Sequence, residues 1–146
     1  MNRADANEIF GSANIEKLRF FKISAGDVDF GDHIHIAGTP QGSAIIVWSI
    51  DGRVAVKGLL FSDNFRDPQT ATIKIRFRRT TGGFTAWTNR SVASQGGPMT
   101  PFYIKLVEKV SPVGTFDQVQ VRLVQTIPDT GLGPTTATLE DKTYNR

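Results

Sequence analysis

The chain has 146 residues, of which 39% are hydrophobic and 21% are charged, and it contains no cysteine. This length suits one domain with a single core, and the absence of cysteine excludes a disulfide framework and thiolate chemistry. Seventeen Lys and Arg against fourteen Asp and Glu leave a net charge of +3, which is too small and too dispersed to predict nucleic-acid binding.

No window of the sequence approaches the ~20 apolar residues that a membrane-spanning helix needs. The N-terminal residues 1–10 also lack the apolar run of a secretory signal. The sequence therefore predicts a soluble protein that is made in the cytosol and has no membrane span.

The two ends of the chain are predicted to be arms around one central domain. Residues 1–13 suit one helical turn that ends near Gly11 and is too short to be stable alone. Residues 127–146 are rich in Thr, Gly and Pro and hold one possible strand at 135–139. Residues 14–126 then form a β-sandwich domain.

A β-hairpin is the clearest local signal, because Asp51-Gly52 separates two apolar runs and both turn residues tolerate a positive φ. With a two-residue turn, Ile46 and Trp48 share one face with Leu59, and neither face of the hairpin is wholly polar. We therefore predict that these three side chains belong to a contact surface between subunits. A three-residue loop with a bulge would change the facing pairs, and the residues leave this alternative open.

The cleanest alternation in the chain predicts a half-buried strand with a cationic outer face. Apolar residues occupy one side of this strand from position 71 to position 77, while Lys74, Arg76 and Arg78 occupy the other. Three interpretations stay open for the stripe that these cations form with Arg79: a solvated face that discourages edge aggregation, a contact with an acidic protein, or a phosphate-binding site.

Further alternating segments follow at 102–107 and 118–124, with turn-rich connections between the strands. Short strands at regular spacing, without a convincing long helix, are typical of a sandwich or barrel. The sequence predicts an all-β fold, a two-sheet antiparallel β-sandwich of jelly-roll or immunoglobulin-like kind with about eight strands.

His33 and His35 are the one pair with metal-ligand character, because alternate residues of a strand share a face and two imidazoles there could reach one ion. Their His-x-His spacing is similar to that of cupins, but the glutamate and further histidine of the cupin motifs are absent. Ordinary exposed histidines are the favoured interpretation, so we predict no metal site and no cofactor.

The sequence offers no convincing catalytic constellation. No serine occupies a nucleophile elbow, and most carboxylates lie in loops without the apolar neighbours that would raise a pKa. We therefore predict that the chain is not an enzyme. The alternative functional class is a carbohydrate-binding, lectin-like module, in which aromatic side chains such as Trp87 would stack on a sugar ring.

Two segments carry a resemblance to a known kind of domain. The strand and Pro-Asp turn of residues 114–130, running on to 142–144, and the hairpin of 73–79 with 82–87 resemble β-sandwich domains in tail-tip and host-recognition proteins of long-tailed bacteriophages. Small jelly-roll decoration proteins of phage heads are a neighbouring possibility. The resemblance implies a non-enzymatic virion structural protein that forms a homo-oligomer and docks to other virion proteins in the tail or on the capsid. A host-surface glycan is a further candidate partner.

Overall fold

The computed structural model describes residues 1–31, 43–62, 68–94, 103–128 and 131–146. One helix, α1 (Arg3–Phe10), and a 3-10 turn (Ser12–Asn14) precede the strands. The strands are β1 (Ile15–Phe21), β2 (Ile23–Ala25), β3 (Val28–Phe30), β4 (Ala44–Ser49), β5 (Val54–Ser62), β6 (Gln69–Arg79), β7 (Thr88–Ser94), β8 (Tyr103–Val110), β9 (Phe116–Ile127) and β10 (Thr135–Asn145). They form two antiparallel sheets that pack against each other, so the predicted all-β, two-sheet sandwich is confirmed.

Ten strands are described, but two pairs of them are aligned end to end, so the two sheets together are eight strands wide. This accounts for the difference from the predicted number of about eight strands. In the first sheet, β8 pairs with one edge of β5, while β4 and β3 pair end to end with its other edge. β1 flanks β4 and β2 flanks β3, with only Lys22 between β1 and β2. The second sheet has the order β10-β9-β6-β7.

The core lies between the two sheets and contains large side chains from both. Trp48 and Phe30 come from the first sheet, Phe77 and Phe116 come from the second, and all four are buried. The rings of Phe77 and Phe116 meet edge to face with their centroids 6.0 Å apart. Because full burial of one such apolar side chain contributes about 1.5–3 kcal/mol, this layer is the main source of stability.

The central hairpin has a three-residue loop, Ile50-Asp51-Gly52, in place of the two-residue turn. The Ser49 N–H donates a hydrogen bond to the Arg53 carbonyl at 2.9 Å, which closes the loop. Gly52 has a φ of 94°, the left-handed conformation that a three-residue loop with a bulge requires. The alternative that the sequence left open is therefore the one that forms.

This loop changes which side chains share a face, because a shift of one residue moves every side chain of a strand to the other side. Trp48 pairs with Val54, and Ile46 pairs with Val56, so all four point into the core. Leu59 lies on the outer face of the first sheet and is half-buried. Ile46, Trp48 and Leu59 do not form one surface, and the predicted face assignment is wrong.

The N-terminal segment, which we expected to be an arm, forms a helix on the outer face of the first sheet. The Asn2 side chain caps α1 by accepting hydrogen bonds from N–H groups of its first turn. Ala6 is fully buried in a second apolar cluster with Ile45 and Val47. This packing supplies the stability that a helix of eight residues lacks by itself. In the described part of the chain, no helix is long and apolar enough to cross a membrane.

The C-terminal segment, also expected to be an arm, forms the edge strand β10 of the second sheet. It pairs with β9 from Thr135 to Asn145, which extends the possible strand well beyond residue 139. The Tyr144 ring enters the core and lies 4.8 Å from the Phe21 ring, centroid to centroid. Burial raises the pKa of the Tyr144 hydroxyl above its ordinary value.

Candidate binding face on the second sheet

The outer face of the second sheet carries the cations that were predicted on β6. The alternation of β6 is confirmed: its apolar residues from 71 to 77 are buried, and the residues between them point away from the core. The neighbouring strand β9 places one polar residue opposite each cation. We refer to the resulting set as the cationic face, which consists of Lys74, Arg76, Arg78, Gln118, Gln120 and Arg122.

Arg76 lies on the cationic face in contact with two aromatic rings and one glutamine. Its guanidinium carbon lies 3.9 Å from the centroid of the Phe84 ring and 4.3 Å from that of the Trp87 ring. Its Nε donates a hydrogen bond to Gln120 Oε1 at 2.7 Å. Two cation–π contacts and one hydrogen bond therefore hold the guanidinium in place. Its two Nη groups have no acceptor among the described residues.

The connection between β6 and β7 positions the two rings. The Thr85 N–H donates a hydrogen bond to the Phe77 carbonyl at 2.8 Å, and the Phe77 N–H donates to Thr85 Oγ1 at 3.0 Å. These bonds hold the backbone between Phe84 and Trp87 alongside β6. Both rings consequently lie over Arg76 although neither belongs to a strand.

Arg122 contrasts with Arg76 because its charge is already balanced. Its Nε and Nη2 donate to Asp141 Oδ2 at 3.2 and 2.9 Å. Its guanidinium carbon also lies 4.8 Å from the centroid of the Trp87 ring. A comparable ion pair joins Lys142 to Glu140 at 2.9 Å on the edge strand β10.

Lys74, Arg76 and Arg78 have no such partner. No ion pair within the described ranges 1–31, 43–62, 68–94, 103–128 and 131–146 involves any of them. Residues two apart on a strand are separated by about 7 Å, so the three cations form a row with uncompensated charge. A surface of this kind attracts groups of opposite charge.

A cleft of about 360 Å³ lies beside the cationic face, where the end of β8 approaches the start of β7. Trp87, Thr85 and Lys109 contribute to its lining together with Ser111. Ser111 is committed to the fold, because its hydroxyl accepts a hydrogen bond from the Val54 N–H at 3.1 Å. The indole and the lysine are therefore the groups in this cleft that suit a ligand.

We next consider metal-binding groups and acidic side chains among the described residues. They hold no group of three or more His, Cys, Asp or Glu side chains that could bind a metal ion. His33 and His35 lie outside the described residues. A hydrogen bond from the Ser49 hydroxyl, supported by the Arg53 N–H, holds the pKa of the Asp51 carboxyl below its ordinary value. These contacts close the hairpin loop and give Asp51 a structural role.

Sequence reasoning identified the three cations of β6 but not the residues that hold Arg76. Gln120 and Arg122 alternate with buried residues along β9, and this period of two could have placed them on the same face as the cations. The stacking of Phe84 and Trp87 on Arg76 had no comparable signal, because it depends on the path of the connection after β6.

No protein-family model matches the chain, and no curated protein or solved structure is significantly similar to it. The geometry of the cationic face is therefore the basis for a functional proposal.

Proposed function

We propose that the chain is a non-enzymatic structural protein of a bacteriophage virion, as a tail component or a capsid decoration. In this proposal the cationic face docks onto an acidic surface of another virion protein. The observation that carries the proposal is the row of three cations, Lys74, Arg76 and Arg78, on an ordered sheet, with no ion-pair partner among the described residues.

The placement of the cationic face supports this proposal. Among the segments that resemble phage domains, residues 73–79 belong to β6 and residues 114–130 contain all of β9. These are the two central strands of the second sheet, and their outer residues make up the cationic face. The resemblance and the uncompensated charge thus fall on the same part of the molecule.

The chemistry of the face suits a protein contact. Protein interfaces are enriched in Arg and aromatic residues near their centres, and Arg76 lies between Phe84 and Trp87. An acidic partner would relieve the repulsion among the three cations and guide the encounter of the two surfaces. Gln118 and Gln120 complete the polar part of the face, and their amides are hydrogen-bonded to Asn145, to each other and to Arg76.

The proposal includes self-association through the outer face of the first sheet. Leu59 and Leu106 lie opposite each other on β5 and β8, and 56% of Leu106 is exposed. In the proposed assembly, a second subunit covers the exposed Leu106 together with the half-buried Leu59 beside it. A Leu106→Glu variant should have a lower mass than the wild-type assembly in light scattering, and an unchanged oligomer would contradict this part of the proposal.

The main test measures binding to particles. Mass spectrometry should find the chain in purified virions from its source. A Lys74→Glu, Arg78→Glu double variant should co-sediment less with particles that lack the chain than the wild type does. The matched control is Lys17→Glu, Lys105→Glu, which changes the net charge equally at exposed positions on the first sheet. If both variants lose co-sedimentation equally, or if neither loses it, docking through the cationic face is contradicted.

A second candidate function is carbohydrate binding, and the cleft beside Trp87 is the observation that favours it. The cleft places the Trp87 indole near Lys109 and Thr88, so it offers a ring that can stack on a sugar and polar groups that can bind the sugar hydroxyls. A glycan array would test this candidate. Binding that disappears in Trp87→Ala while Lys74→Glu, Arg78→Glu retains it would favour the lectin-like function over docking.

A further inference from the structure

We propose that Arg76 is a specific receptor for a carboxylate, contributed by an Asp or Glu side chain of the docking partner. This inference rests on the proposed function and identifies the chemical group at the centre of the contact. It follows from the way in which Arg76 is held and from the charges around it.

The guanidinium of Arg76 is organised before any partner binds. Phe84 and Trp87 restrict its plane, and Gln120 occupies its Nε. The end of the guanidinium, with its two Nη groups, remains available in a fixed orientation. A carboxylate can accept two parallel hydrogen bonds from such a fork, and an arginine that is already ordered loses less conformational entropy when it binds.

The neighbouring cations strengthen this site. Lys74 and Arg78 lie on the same face of β6, each about 7 Å along the strand from Arg76. Neither takes part in a cation–π contact or ion pair among the described residues, so they supply charge without a fixed geometry. Arg76 therefore determines the geometry of the contact, and its neighbours add general attraction.

The surrounding charges favour a discrete carboxylate over a nucleic acid. Within the described part of the cationic face, the row without an ion-pair partner consists of Lys74, Arg76 and Arg78, and Asp141 lies beyond Arg122 on the strand at the edge of the same sheet. A phosphate chain that continued across the sheet would meet the Asp141 carboxylate, and nucleic-acid binding requires many simultaneous phosphate contacts. A single carboxylate bound to Arg76 avoids Asp141.

Substitution of Arg76 by lysine separates geometry from charge. Arg76→Lys keeps the positive charge but removes the fork and the planar surface that stacks on the rings. We expect it to weaken binding of a short glutamate-rich peptide about tenfold in an NMR titration of the full chain. Arg90→Lys is the control, because Arg90 is an exposed arginine of the same sheet outside the cationic face. Amide spectra of both variants verify that the fold is retained.

The same titration with oligothymidylate and inorganic phosphate tests the identity of the ligand. Tighter binding of either phosphate probe than of the peptide would overturn the assignment to a carboxylate, and so would equal peptide binding by Arg76→Lys and the wild type. If Lys74→Glu, Arg78→Glu loses binding to particles while Arg76→Lys retains it, the receptor role of Arg76 is wrong and the proposed docking stands. If all of these variants retain binding to particles, the receptor role of Arg76 and the proposed docking are both contradicted.

Discussion

The ring of Phe30 lies directly against Gly58, and no Cβ atom fits between them. A Cβ at Gly58 would come within 2.6 Å of Phe30 Cζ and 2.9 Å of Ala44 Cβ. Phe30 ends β3, Ala44 begins β4, and Gly58 lies on β5 near the point where those two strands meet end to end. The aromatic ring thus fills the core at the junction, and the absence of a side chain at position 58 makes room for it.

A Gly58→Ala substitution should therefore destabilise the protein. Forcing a methyl group into a packed core costs about 1–3 kcal/mol, and we expect the free energy of unfolding in urea to fall by that amount. Phe30→Leu provides the matched test, because a smaller side chain makes space for the methyl group. The double variant should lose less stability than the sum of the single variants, whereas simple additivity would show that the Phe30 contact is not the cause.

Gly52 and Gly82 allow the effect of a tertiary contact to be separated from backbone strain. Both have a positive φ, 94° and 90°, but a Cβ at Gly52 would lie 2.6 Å from Thr115 Cγ2, while a Cβ at Gly82 has no neighbour within 4 Å. Gly82→Ala should cost about 1–2 kcal/mol from strain alone. Gly52→Ala should cost at least about 1 kcal/mol more in the same unfolding experiment. Equal losses would contradict a close contact between the hairpin loop and Thr115.

Lys57 should control how firmly the N-terminal helix is docked. Its Nζ lies 3.7 Å from Glu108, 3.9 Å from Asp5 and 4.0 Å from Glu8, and the last two belong to α1. Lys57→Met keeps the apolar stem and removes the charge that links α1 to β8. Because the carboxylates are partly hydrated, the global loss should stay below about 1 kcal/mol. The amides of α1 should nevertheless exchange faster with solvent.

Hydrogen exchange of β6 serves as the internal reference for this experiment, since the core between the sheets does not involve Lys57. A Lys105→Met variant controls for the loss of one positive charge elsewhere on the first sheet. Unchanged exchange in α1 of Lys57→Met would show that the apolar cluster around Ala6 is sufficient to hold the helix.

Asp51 should titrate below the ordinary aspartate pKa of 3.8, because the Ser49 hydroxyl and the Arg53 N–H stabilise its charged form. A lowered pKa means that the contribution to stability is present above pH 3.8 and is lost as the pH falls through the value in the folded protein. An NMR titration of the Asp51 carboxyl carbon measures this midpoint. Ser49→Ala should move it upward, while the distant Ser91→Ala should not. A midpoint that does not respond to Ser49→Ala would contradict the assigned cause.

Much of the architecture could be predicted from local patterns. The alternation of β6 identified its buried and cationic sides because side chains of a strand alternate in direction regardless of the partner strand. Asp51-Gly52 located the hairpin for a similar reason, since the backbone preference for a turn belongs to those residues themselves. The all-β class and the row of Lys74, Arg76 and Arg78 follow from the sequence at this level.

Tertiary structure decided the register between paired strands and therefore which side chains share a face. The loop between β4 and β5 has three residues, and the Gly52 carbonyl accepts a hydrogen bond from the Phe116 N–H at 2.9 Å, a contact that local preference does not reveal. That one-residue difference places Trp48 in the core and not on a contact surface. The orientation of the Arg76 guanidinium likewise depends on Gln120 and Trp87. Gln120 is distant from Arg76 in sequence, and Trp87 reaches it through an irregular connection. Register and side-chain stacking are non-local, so the sequence by itself determined the strands and their charged face, and only the packed structure decided which side chains meet.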